Sequence, residues 1–220
     1  TDNEDQNSSN TRNFSDNDYD TTILTANYDF GNMVLTYIGA KREMDEQNMQ
    51  AFDASPADFL DMNYFNLWDQ ESHELRLTTN FDGPLNFVAG LYSFEVDYTQ
   101  FWDVSHLHWT YNAILGFPLF PDVTGPTSVK SQGQRQQTDS FAAFASADWA
   151  ISERWTLTFG GRYTNEEKDF SGDNGSIGYD PAAGEPRPFG HATWEKAAEW
   201  SEFTPSAALR FNMTDSTMLW

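Results

Sequence analysis

The chain of 220 residues has no cysteine, which excludes a disulfide scaffold, a thiolate metal site and a cysteine nucleophile. Basic side chains are scarce, 12 Lys and Arg against 34 Asp and Glu, for a formal net charge of −22. That balance excludes a nucleic-acid partner, because neutralising phosphates takes clustered cations. It also argues against charge-driven binding to anionic lipid. No apolar run reaches the ~18 residues of a transmembrane helix; stretches such as Phe141 to Ala145 are far shorter. The opening, TDNEDQNSSNTRNFSDNDYD, has no initiator Met, basic n-region or apolar h-region. The end, FNMTDSTMLW, stops just inside what reads as a fresh strand, so the chain is expected to be a segment of something longer. Aromatics are plentiful: 18 Phe, 9 Tyr and 8 Trp argue against an acidic disordered chain. The length suffices for one or two domains with a sizeable core.

The dominant period is two. Leu75 and Leu77 alternate with Glu74 and Arg76, and Trp155, Leu157, Phe159 and Tyr163 alternate with Thr156, Thr158, Arg162 and Thr164. Similar alternation runs through Val88 to Tyr98 and Phe203 to Asn212. Such runs mark strands with one apolar and one polar face. Strands are expected at 21–29, 33–41, 71–81, 85–100, 138–150, 155–168 and 200–212, with an eighth from 217. A helix is allowed only near Asp58 to Asn66, inside a connection.

Short turns sit at Phe30-Gly31-Asn32, Asp82-Gly83-Pro84, Ser152-Glu153-Arg154 and Thr214-Asp215-Ser216. Long polar loops are expected at 41–70, 102–136 and 170–199. Structureless loops of that size are uncommon in a compact soluble domain. Here they all fall at one end of the strands and the tight turns at the other, the layout of an outer-membrane barrel. The fold class read from this pattern is all-β: part of the wall of a larger, up-and-down, antiparallel transmembrane β-barrel, about seven or eight strands of it. A soluble β-sandwich is the competing reading, but its strands are usually shorter, with turns every ~8–12 residues.

One strand face offers aliphatic, aromatic and small residues to lipid. The other carries Glu74, Arg76, Asp148, Arg162 and Arg210. An Arg facing lipid at the midplane costs roughly 2–4 kcal/mol, so these five are expected to face the lumen, and Arg76, Arg162 and Arg210 to pair with acidic groups on neighbouring strands or on a plug. Phe30, Phe81, Trp149 and Trp155 flank the short turns, where an interfacial girdle belongs.

Three stretches resemble TonB-dependent outer-membrane receptors. SHELRLTTNFDGPLNFVAGLYSFEVDY is similar to a mid-barrel hairpin of that family, TDSFAAFASADWAISERWTLTFGGRYTNEEKDF to the next hairpin, and FTPSAALRFNMTDSTMLW to the strand after it. The resemblance runs from Ser72 to Trp220 and more loosely back to Thr21. It implies a barrel of about 22 strands with a plugged lumen. It also implies an outer-membrane location and import of a scarce ligand with energy passed through the TonB complex. The ligand would be a ferric siderophore or similar chelate; haem, cobalamin and carbohydrate are other ligands of the family. The family's plug and TonB-contacting segment are N-terminal and not visible in residues 1–220, which read as barrel throughout. Neither enzyme chemistry nor a cofactor is implied. A passive porin-like channel and a soluble carbohydrate-binding β domain remain as alternatives.

Other constellations are weaker. Asp16, Asp18 and Asp20 begin like a calcium loop, but Thr21 and Asn27 stand where Gly and Glu belong, so a solvated acidic loop is expected. His106 and His108 would share a strand face yet are too few for a metal site. Trp102, Trp109, Tyr111 and Phe117 could form a stacking platform for a planar or sugar-like ligand; packing between loops explains them more simply. Glu166 and Glu167 are adjacent on a strand and point to opposite faces, so they are no catalytic pair. The stretch from Gly172 to Gly178 reads as a flexible turn, and Ser140 and Ser146 have no base at a defensible spacing.

Overall fold

The computed structural model describes residues 13–51, 61–105, 129–180, 185–214 and 216–220. They form one antiparallel sheet of eight strands in sequence order: β1 (Phe14–Asp29), β2 (Met33–Ala51), β3 (Asp61–Thr79), β4 (Leu85–Ser105), β5 (Val129–Ala150), β6 (Trp155–Asp180), β7 (Glu185–Thr214) and β8 (Thr217–Leu219). Each strand pairs with the next in sequence, the up-and-down order the turn pattern predicts. Among the described residues the sheet does not close and no second layer covers it.

The tight turns are where sequence chemistry places them. Gly31 has φ +89°, a conformation that Cβ-bearing residues rarely adopt, and its N–H donates to Asp29 Oδ1 at 2.6 Å. At the second turn Asn86 clasps the chain: its Oδ1 accepts from Phe81 N at 2.6 Å and its Nδ2 donates to Phe81 O at 3.1 Å. At the third, Ser152 and Trp155 exchange backbone bonds of 3.2 and 3.3 Å.

The strands are far longer than the hydrophobic alternation indicates. β6 has 26 residues and β7 has 30, whereas a bilayer crossing takes ~9–11. Much of the sequence read as long loops at 41–70, 102–136 and 170–199 is therefore strand. Residues 61–66 of the allowed helix belong to β3, and Gly172 to Gly178 lies within β6 with a register shift between Asn174 and Ser176 rather than in a turn. Asp16, Asp18 and Asp20 are on β1, not in a loop. The reason is common to all: beyond the apolar belt both faces are polar, so alternation vanishes while the ladder of backbone bonds continues.

Pairing register sorts the side chains into two faces. One holds Leu75, Leu91, Phe141, Trp149, Phe159, Tyr163, Phe203 and Leu209, which remain 43–63% exposed. The opposite face holds six of the eight residues buried among those described: Thr36, Met62, Val96, Val104, Thr138 and Ala142. Side chains crowd on the inside of a curved sheet and splay on the outside. The apolar face is therefore convex and the polar face concave, as in a barrel wall.

On the convex face the apolar residues form a belt with aromatic margins. Phe141 and Trp149, Trp155 and Tyr163, and Phe203 and Phe211 bracket it on three successive strands. Each pair is eight residues apart, ~27 Å along the strand and ~20 Å of height at a barrel tilt of ~40°. Trp155 and Phe211 stack across β6 and β7 with centroids 4.4 Å apart. Glycines let neighbouring rings lie flat on the sheet. The Phe144 ring covers Gly90, and Trp194 covers Gly172; a Cβ at either would meet the ring at 2.5 or 2.4 Å.

Candidate functional site

The five charges expected to face the lumen, Glu74, Arg76, Asp148, Arg162 and Arg210, occupy one face, the concave one. The register does not gather them into one cluster. Arg76 lies 3.5 Å from Glu74 on its own strand. Arg162 sits over the rings of Tyr92 and Phe144, 5.6 and 5.9 Å from their centroids, and its Nε donates to Thr164 at 3.1 Å. Asp148 accepts from the Thr158 hydroxyl at 2.5 Å, and Arg210 donates to Thr156 at 3.1 Å. The expected pairing with acids on neighbouring strands is therefore replaced, at Arg162 and Arg210, by ring faces and hydroxyls among the described residues.

Of the four candidate platform aromatics, Trp102 is on β4, and its ring stacks with Tyr64 of β3 at 6.3 Å and 13°. Trp109, Tyr111, Phe117, His106 and His108 lie outside the described residues.

Trp102 is the margin of a larger concave-face feature that alternation could not reveal. Asn66, Gln100 and Gln134 stand side by side on β3, β4 and β5, with Glu46 of β2 at one end. Gln134 Nε2 donates to Gln100 Oε1 at 2.7 Å, Gln100 Nε2 to Asn66 Oδ1 at 2.8 Å, and Asn66 Nδ2 to Glu46 Oε2 at 2.6 Å. Asn48 Nδ2 holds the other Glu46 oxygen at 2.7 Å. One row nearer the belt, Trp68 and Tyr98 meet with centroids 5.3 Å apart, and the Tyr98 hydroxyl donates to Asn66 Oδ1 at 3.0 Å. Tyr98 lies seven residues beyond Leu91, outside the belt. Burial pushes its phenol pKa up, the Glu46 carboxylate adds to the rise and the Gln100 side chain opposes it, so it stays a hydroxyl at neutral pH. The signal in the sequence was Trp, Tyr, Asn and Gln at spacing two in Tyr64-Asn66-Trp68 and Tyr98-Gln100-Trp102.

The convex face beyond the belt is different. Glu71, Glu95, Asp139, Glu167 and Glu199 stand in direct lateral register across five strands. A shallow groove of about 330 Å³ follows the first four of them. His73 Nε2 lies 2.9 Å from Glu71, and Tyr37 Oη is 2.8 Å from its Nδ1. Among the described residues, no group of three or more His, Asp or Glu is arranged to hold a metal ion. Glu166 and Glu167 face opposite ways: Glu166, on the concave face, is 2.9 Å from Lys168, whose ammonium lies over the Trp200 ring at 5.2 Å.

Comparison with known proteins places this wall. Over 92% of its length the chain superposes on the ferric yersiniabactin uptake receptor FyuA from Yersinia pestis, with a TM-score of 0.67 at 17% identity. It matches the siderophore receptor PiuA from Acinetobacter baumannii over 93% of its length, with a TM-score of 0.62 at 14% identity. The ferric-catecholate import receptor Fiu from K12 E. coli, in its closed form, gives 0.55 at 14% over 92%. The chain spans only 27%, 31% and 32% of those proteins. Such identities establish likeness of fold. No curated protein matches the sequence. The family model of the TonB dependent receptor-like β-barrel matches residues 1–220, from end to end. With that match the eight-stranded wall has its place: the chain belongs to the TonB-dependent receptor β-barrel family, whose members are receptors and not enzymes.

Proposed function

We propose that residues 1–220 form part of the wall of an outer-membrane receptor that imports a scarce small molecule, energised through the TonB complex. The observation that carries this reading is the apolar belt, bounded by aromatics, on a sheet that no second layer covers among the described residues. In water such a belt would far exceed the apolar patch a soluble monomer leaves exposed. In a bilayer it is the surface that lipid covers, with rings at both interfaces. Outer-membrane lipid is thus one partner and the TonB complex another, the latter reached through sequence outside this chain. The polar strand extensions and their loops would capture the ligand outside the cell. A ferric siderophore or similar chelate is the first class to test, since similar structures are named for such ligands; cobalamin and carbohydrate follow. The sharp test is uptake of a labelled ferric chelate by cells producing the complete receptor. Uptake should vanish when the TonB complex is deleted. Uptake that persists without it favours the passive porin-like channel and overturns active import.

A further inference from the structure

The outer side of the wall carries a groove of its own, on the convex face beyond the carboxylate row. Phe65 and Phe101 stack across β3 and β4 with centroids 4.8 Å apart and planes 18° from parallel, which covers one face of the Phe101 ring. The other face looks across Gly133 of β5 towards Asp173 of β6, which stand in register with it. A Cβ on Gly133 would have only Phe101 Cβ within 4 Å among the described residues, at 3.8 Å. The space above Gly133 is therefore open, a hollow of about 370 Å³ bounded by the ring, Arg135, Asp173 and Glu195. A second hollow of about 310 Å³ adjoins it over Ser171 and Ala197, and the two share Arg135, Ser171 and Glu195. Gly133 lies eight residues beyond the aromatic margin at Phe141, ~20 Å outward at a barrel tilt of ~40°. The groove is thus outside the lipid, and it faces away from the lumen.

Its surroundings are predominantly anionic. Among the described side chains, Arg135 is the only Lys or Arg projecting on this face from β4 to β7, and Asp97 holds its guanidinium, with Arg135 Nε donating to Oδ1 at 2.9 Å. Arg42, Lys168 and Lys196 alternate to the concave face. On β2 the ammonium of Lys41 is held by Glu43. Against Arg135 stand Asp169, Asp173 and Glu195 at the groove, and the row from Glu71 to Glu199 between it and the belt. A cation entering the groove meets a bare aromatic face and carboxylates together, the surroundings that favour an ammonium or guanidinium group. An anion meets repulsion. The carboxylates are spread over strands ~4.8 Å apart, so a single small ion engages few of them and a chain of linked cations engages many.

We propose that this groove is a docking surface for a basic polypeptide segment outside the cell, with one Lys or Arg side chain seated against Phe101 and others paired with the carboxylates around it. The surface is separate from the import route, since it lies on the opposite side of the wall from the lumen. The test is fluorescence anisotropy of a labelled decapeptide of alternating Lys and Thr, added at low salt to the complete receptor in a zwitterionic detergent. The peptide should bind, its Glu-Thr counterpart should not, and ~0.5 M salt should release it. Phe101→Leu removes the ring face and keeps apolar bulk; Glu195→Gln removes one charge at the exposed edge. Each should weaken binding about threefold or more. Glu153→Gln, in the third tight turn at the other end of the wall, removes the same charge and should leave binding unchanged. A Phe101→Leu receptor that fails to fold leaves Glu195→Gln against Glu153→Gln to decide. No binding of the peptide, preference for maltohexaose over it, indifference to both groove substitutions, or an equal loss with Glu153→Gln would each overturn the proposal.

Discussion

At the scale of single residues, the convex carboxylate row sets a measurable tension. Glu95 stands between Glu71 and Asp139 in direct register, and like charges so placed oppose pairing by roughly 0.2–1 kcal/mol each. Glu95→Gln should therefore raise the denaturation midpoint of the complete receptor in detergent at low salt. At 0.5–1 M salt, where screening acts within a few Å, the gain should disappear; an unchanged midpoint at low salt would show the row to be already neutralised. Asp97 is held differently. Arg135 Nε donates to its Oδ1 at 2.9 Å, and a second guanidinium nitrogen reaches the other oxygen. That hydrogen bond, with the Arg135 charge adding to it, holds the Asp97 pKa below the ordinary carboxylate value against a smaller effect of burial. The stability it lends is complete above the ordinary aspartate range and is lost as pH falls through the depressed value. Asp97→Asn should flatten the acid limb of a stability–pH curve while leaving the neutral limb parallel. Gly90 illustrates steric limits: a Cβ there meets Phe144 at 2.5 Å and Leu75 O at 2.8 Å. Gly90→Ala should cost about 1–3 kcal/mol, as overpacking does, read as a lower midpoint in the same assay.

Among elements, β6 shows how one strand serves two media. From Trp155 to Tyr163 its alternate residues on the convex face are apolar; from Glu167 to Asp173 they are acidic or small and polar. Phe159 lies midway between the aromatic margins. Phe159→Arg should impede folding into lipid vesicles by roughly 2–4 kcal/mol, whereas Thr158→Arg, one residue away on the concave face, should be tolerated. Equal penalties for the two would mean that the faces are wrongly assigned. The long extensions of β6 and β7 were illegible in sequence because an amphipathic signal needs one apolar face. Where both faces are polar, only the partner strand's backbone reveals a strand.

For the whole molecule, the decisive features are the edges and the belt. β1 has no neighbour on its outer side, and β7 pairs with β8 at only three positions, Phe211, Asn212 and Thr214, among the described residues. Unpaired backbone groups in hydrocarbon cost several kcal/mol each, and in water such edges recruit other chains. The 220-residue chain produced alone should therefore aggregate in detergent-free buffer. A monodisperse, folded monomer by analytical ultracentrifugation would contradict the barrel-wall reading.

Sequence alone determined the all-β class, the tight turns, the apolar face and the side on which Glu74, Arg76, Asp148, Arg162 and Arg210 lie. All of these follow from a period of two and from turn chemistry, which act over a few neighbouring residues. Tertiary structure alone decided that the carboxylates form a lateral row, that Arg162 rests on the rings of Tyr92 and Phe144, and that Asn66, Gln100 and Gln134 meet between two aromatic pairs. Those arrangements depend on the register between strands distant in the chain. Register is set by the summed pairing of whole strands and leaves no mark on any one of them.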